Sequence, residues 1–174
     1  NRNSDVGLQA AITSDTWLST GNAGKINIIT DGLLEIIGGG KISSATWADG
    51  SAGEISIQVG GDIIIDGKNS NVFTGITSSA KAYSSGDAGK INVTTNGQLK
   101  ILDGAQIASN TFSTGNAGEV NIDAKEILID NKSFIGQATG ILSVTYSDLD
   151  YGRNAGKINI ITDGLLEIFD GGQI

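Results

Sequence analysis

The sequence predicts an all-β chain wound as a right-handed parallel β-helix (a β-solenoid), with three strands per coil and about five coils. Three observations lead there. First, an Ala-Gly pair recurs at Ala23-Gly24, Ala52-Gly53, Ala88-Gly89, Ala117-Gly118 and Ala155-Gly156, and each pair introduces a short run alternating β-branched and polar residues. Second, the glycines are 29, 36, 29 and 38 residues apart (53−24, 89−53, 118−89, 156−118), and NAGKINIITDGLLEI stands unchanged at 22–36 and 154–168. A repeat of this period marks a solenoid, whose units bury their apolar faces only against their neighbours. Third, glycine supplies 26 of 174 residues and no window shows apolar spacing near 3.6, which excludes helical repeats. The right hand follows from the chirality of parallel crossovers.

Each unit reads as three strands. The first follows the Ala-Gly pair, as in Lys25-Ile26-Asn27-Ile28 and Glu54-Ile55-Ser56-Ile57, with period-two alternation that sends β-branched residues to one face. The second follows a turn such as Asp31-Gly32, Gly60-Gly61, Asn96-Gly97 or Asp163-Gly164, and points Leu34/Ile36, Ile63/Ile65, Leu99/Ile101, Ile127/Ile129 and Leu166/Ile168 inward. The third is expected to begin near Ile42, Val72, Ile107, Ile135 and Ile174, where the variable length enters. Coils therefore start at 24, 53, 89, 118 and 156, after the tail of a long coil over 1–23, and residues 1–174 form one solenoid domain. At about 4.8 Å per parallel layer the stack is roughly 24 Å tall. Both ends fall inside a coil, which suggests a fragment of a longer solenoid whose open edges suit end-to-end self-association.

Composition narrows the function. The chain has no Cys, Met, His or Pro, so disulfides, thiolate or histidine metal sites and Ser-His-Asp or Cys-His catalysis are all excluded. A net charge of −8 and a pI near 4.3 argue against nucleic acid and anionic membrane surfaces as partners. The longest apolar runs, such as Ile63-Ile64-Ile65, fall far short of the roughly 18 residues a membrane span needs. Asn1-Arg2-Asn3-Ser4-Asp5 is polar and no signal-like apolar stretch follows it.

Several recurrent residues call for a weighing of structure against function. After the Ala-Gly pairs stand Lys25, Glu54, Lys90, Glu119 and Lys157, alternating in charge. In an in-register parallel stack they form a charge ladder that favours one register. Two positions on, Asn27, Ser56, Asn92, Asn121 and Asn159 suit an axial ladder of polar side chains. Aromatic residues recur shortly before the pairs, at Trp17, Trp47, Tyr83, Phe112 and Tyr151, either as packing over one corner or as a solvent-facing platform for glycan. Counting by twos from Ile42 places Trp47 on the outer face.

Asp-Gly at Asp31, Asp49, Asp66, Asp103 and Asp163 is explained by tight turns. Calcium, which β-rolls hold through GGxGxDxUx nonapeptides, is not expected, because Gly38-Gly39-Gly40-Lys41-Ile42 lacks the aspartate. A polysaccharide-cleaving site is also not expected. The only arginines are Arg2 and Arg153, and the close acidic pair Asp148 and Asp150 has no base or charge-stabilising donor placed beside it in the sequence. The expectation is a non-enzyme without cofactor or metal.

The recurring phrases Gly21 to Ile28, Gly50 to Ile57, Gly86 to Val93, Gly115 to Ile122 and Asn154 to Ile160 resemble the repeat body of filamentous-haemagglutinin-like exoproteins, which bacteria export by two-partner secretion. The resemblance implies a rigid β-helical shaft of a secreted or cell-surface adhesin or filament. Contact with host or neighbouring-cell glycan or protein would then be made through other regions of the full-length protein. The family's amino-terminal secretion motifs and any receptor-binding or toxin module are not found in these residues.

Overall fold

The computed structural model describes residues 10–17, 20–82, 84–112, 114–132, 136–146 and 154–174. They form a parallel β-solenoid of about five turns, and no helix occurs among the described residues. One six-stranded sheet stacks β1 (Ala11–Thr13), β4 (Lys41–Thr46), β7 (Thr74–Ala80), β9 (Ala105–Thr111), β11 (Thr139–Leu142) and β14 (Gly172–Gln173) in that order. The other sheet carries the first and second strands of each coil. These are separate in β2 (Ile26–Thr30) and β3 (Leu34–Ile37), β5 (Ile55–Val59) and β6 (Ile63–Asp66), and β12 (Ile158–Thr162) and β13 (Leu166–Phe169). In the two coils between, they run on as single strands, β8 (Ile91–Leu102) and β10 (Val120–Asp130).

Every strand pairing is parallel, and the register follows the repeat. Ile26, Ile55, Ile91, Val120 and Ile158 stand in one column, and Leu34, Ile63, Leu99, Ile127 and Leu166 in another. The inward columns merge into one apolar core in which Ile55, Ile63, Ile65, Ile91, Leu99, Ile101, Ile107 and Ile129 are fully buried. Each such side chain contributes about 1.5–3 kcal/mol by leaving water. Exposed ion pairs contribute about 0–1 kcal/mol each. The isoleucine columns therefore hold the solenoid together, and the charge ladder refines its register.

The third strand begins later in the long coils than expected. The column that starts with Ile12 and Ile42 continues through Ile76, Ile107 and Ile141, not through Val72 or Ile135; Ile135 itself lies outside the described residues. From the second inward residue of strand two to this column the chain takes six residues in short coils (36 to 42, 101 to 107). It takes 11 and 12 in the long ones (65 to 76, 129 to 141). Most of the extra length is thus a loop ahead of the third strand. The fourth coil also saves one residue at its first turn, where the register shifts between Ala124 and Glu126.

The Ala-Gly pairs owe their sequence to a crowded corner. Inside the solenoid, the third strands present Ser44, Ser78 and Ser109, with Ser143 just past the end of β11, all buried although polar. Their hydroxyls donate to the carbonyls of Gly24 (3.0 Å), Gly53 (2.8 Å), Gly89 (2.5 Å) and Gly118 (2.6 Å). Ser44 and Ser78 also accept from the amides of Gly53 and Gly89, both at 3.0 Å. A Cβ on Gly53, Gly89, Gly118 or Gly156 would run into the carbonyl oxygen of the corresponding glycine one coil earlier. None of these glycines has positive φ, so close approach and not backbone conformation demands them.

The two-coil rhythm has its own tie. In the long coils, buried Thr74 and Thr139 accept hydrogen bonds from the amides of Gly39 (2.9 Å) and Gly104 (2.6 Å) in the preceding short coils. A short coil's tight turn is therefore completed by the long coil that follows it.

Candidate functional site: an aromatic and lysine groove

On the six-stranded sheet, alternate residues point away from the core. One column extends just past the strand ends. The pairs Thr16–Thr46, Thr46–Ala80, Ala80–Thr111 and Thr111–Thr145 are in register, so the next rung holds Trp17, Trp47, Lys81, Phe112 and Tyr146. The amides of Trp47, Lys81, Phe112 and Tyr146 donate to the carbonyls of Thr16, Thr46, Ala80 and Thr111 at 2.8–3.0 Å, which fixes the rung spacing.

The rings form two stacks separated by a cation. Trp17 and Trp47 lie 4.8 Å apart at 12°, and Phe112 and Tyr146 lie 4.9 Å apart at 9°. The Lys81 ammonium sits between them, 5.9 Å from the Trp47 ring and 5.2 Å from that of Phe112. This is cation–π distance on both sides. The rings remain 39–62% exposed.

Trp17, Trp47 and Phe112 therefore stand in one register column. Tyr83 and Tyr151 lie outside the described residues, and the two rungs assigned to them are filled by Lys81 and Tyr146. The offset from rung to glycine varies, because the long coils insert residues between the two. Counting forward is exact in register: each rung residue stands five after the inward isoleucine (12 to 17, 42 to 47, 76 to 81, 107 to 112, 141 to 146).

Beside the rung lies a cavity of about 380 Å³. Its aromatic wall is the two stacks plus Phe73, from the loop ahead of β7. Its polar floor includes Ser43, Thr77, Ser79 and Asn110, all nearly buried. The Thr77 and Ser79 hydroxyls bond to each other at 2.7 Å. Asp15 is occupied with the sheet: its carboxylate accepts from the Ala45 amide at 2.9 Å and from the Ser43 hydroxyl at 3.4 Å. Burial lowers the pKa of the Lys81 ammonium, repulsion from Lys41 adds to this, and Asp15 opposes it. Lys41 also lines the cavity, and neither lysine makes a salt bridge among the described residues.

The charge ladder occupies the other sheet. Lys25 pairs with Glu54 at 2.9 Å and Lys90 with Glu119 at 3.2 Å. Glu54 then accepts from the Asn92 amide (2.9 Å) and Glu119 from that of Asn159 (2.8 Å), so each glutamate joins a lysine below to an amide above. Hydrogen bonding to Lys25 and to Lys90 holds Glu54 and Glu119, respectively, below the usual glutamate pKa. Lys157 acts on Glu119 through its charge. Asn92, Asn121 and Asn159 stand amide to amide at 2.9 and 2.6 Å. Among the described residues no group of three His, Cys, Asp or Glu side chains gathers to hold a metal. Arg2, Asp148, Asp150 and Arg153 lie outside the described residues. No family model matches the chain, and no curated protein or solved structure matches it.

Proposed function

We propose that this chain is a structural shaft segment of a large secreted or cell-surface bacterial adhesin or filament, and that it is not an enzyme. One observation carries the reading: among the described residues, ladders run from coil to coil through the core, at the interior corner and along one outer sheet. Isoleucine columns fill the inside, serine–glycine bonds tie the corner, and alternating lysine, glutamate and asparagine lace one outer sheet. Such a stack resists bending and offers proteases few unpaired backbone segments.

Antibodies raised against the purified chain provide the test. Immunogold electron microscopy of intact producing cells should decorate fibres outside the envelope. Label that appears only after permeabilisation would overturn the surface assignment. Release of unsaturated or reducing sugar from uronate or neutral polymers by the purified chain would overturn the non-catalytic part.

A further inference from the structure

We infer that the groove beside the aromatic rung is a binding site for an anionic saccharide, with Lys81 between the Trp17–Trp47 and Phe112–Tyr146 stacks and Lys41 lining the groove from the start of β4. The inference goes beyond the shaft reading, which requires no ligand. Its first support is the distribution of aromatic residues. Six described residues are aromatic, and five of them (Trp17, Trp47, Phe73, Phe112 and Tyr146) line this one groove, Phe169 being the other. Packing inside the solenoid does not account for them, because the core is aliphatic. A concave site with an apolar wall and a few convergent polar groups is the usual form of a ligand pocket.

The second support is charge. In a chain of net charge −8, Lys41 and Lys81 face one cavity, and neither makes a salt bridge among the described residues. Burial first, and then repulsion from Lys41, disfavour the charged form of Lys81, and the nearby Asp15 carboxylate is already committed to Ala45 and Ser43. An anion in the cavity that both ammonium groups line offsets that repulsion.

The third support selects a saccharide over an acidic peptide. Where Lys41, Thr77 and Asn110 line it, the groove is the face of strands whose amides and carbonyls are already joined from coil to coil, so a peptide finds no strand edge to extend there. What it offers is side-chain hydroxyls, an amide and aromatic surface. These match a polyol with apolar C–H faces and an acidic substituent.

Both tryptophans of the chain lie in the groove, so intrinsic fluorescence reads it directly. The whole chain is titrated with oligogalacturonate (carboxylated), a carrageenan oligosaccharide (sulfated), an uncharged galactan oligosaccharide and poly-glutamate. A saturable change in tryptophan emission is expected with one or both acidic saccharides, and which of them binds assigns the acidic group. Affinity should be at least tenfold weaker for the uncharged galactan and for poly-glutamate. Lys41→Gln should weaken binding about tenfold and Lys41→Gln/Lys81→Gln further. Lys90→Gln, which changes net charge equally on the other sheet, should leave it unchanged. Lys41→Gln alone keeps the test valid if the Lys81 change disturbs folding, which the thermal midpoint reports. No saturable change with either acidic saccharide overturns the inference. So does equal affinity for the galactan or poly-glutamate, or equal weakening by Lys90→Gln.

Discussion

Ser78 sits at the interior corner where two coils meet, and its hydroxyl does two things at once. It donates to the Gly53 carbonyl at 2.8 Å and accepts from the Gly89 amide at 3.0 Å, with no exposure to water. Ser78→Ala removes both partners and leaves a buried amide and carbonyl unsatisfied. An orphaned buried group costs about 1–3 kcal/mol. The expected result is a loss of that size in chemical denaturation, with the far-ultraviolet circular dichroism unchanged. A loss below about 0.5 kcal/mol would show that the corner is held by packing alone. Gly89 belongs to the same corner. A Cβ there meets both the Gly53 carbonyl and, at 2.6 Å, the Ser78 hydroxyl, so Gly89→Ala should be at least as damaging.

At the scale of the element, the ladders differ in what they contribute. Glu54 and Glu119 have lowered pKa values in the folded chain, each owing first to a lysine hydrogen bond. A carboxylate depressed in this way stabilises the fold above its unfolded pKa, about 4.3, and that increment disappears as pH falls through the folded value. Glu54 is about one-third exposed and its partner Lys25 largely so, and solvent screening keeps such a pair below about 1 kcal/mol. Glu54→Gln should therefore melt slightly below the parent at pH 7, and the gap should close by about pH 3. A gap that persists at low pH would mean that the glutamate acts through packing and not through charge.

The charge ladder was legible in the sequence because its residues keep a fixed offset from a glycine that no insertion separates from them. So were the first two strands and their inward columns. The third strand was not, because loops of unequal length precede it and the apolar residues Val72 and Ile135 imitate its start. The aromatic rung was half legible for the same reason. Trp17, Trp47 and Phe112 stand six or seven residues before a coil glycine, whereas a lysine at 81 does not resemble a ring and an insertion separates Tyr146 from its glycine. The serine–glycine corner was written in the sequence as Ala-Gly, but serine at a buried position is not recognisable without the fold.

For the whole molecule, the question is what the true building unit is. Lengths and charges alternate with a period of two coils, and the structure supplies a mechanical reason. Thr74 and Thr139 of the long coils complete the turns at Gly39 and Gly104 of the short ones, and lysine in a short coil pairs with glutamate in the long coil after it. Removing residues 53–117 deletes 65 residues (117−53+1) and joins Ala52 to Gly118. Lys25 then faces Glu119, and Thr139 takes the place of Thr74 over Gly39. Removing residues 53–88 deletes only one long coil (88−53+1 = 36), sets Lys25 beside Lys90 and leaves the Gly39 turn without its threonine. In a solenoid, stability is a sum of unit and nearest-neighbour terms, so longer stacks are ordinarily more stable. The single-coil deletion keeps one more coil, yet it should unfold at a temperature no higher than the two-coil deletion, with a broader transition. If it instead melts higher, as its length alone would give, the coil and not the pair is the unit, and the alternation is decoration on a one-coil repeat.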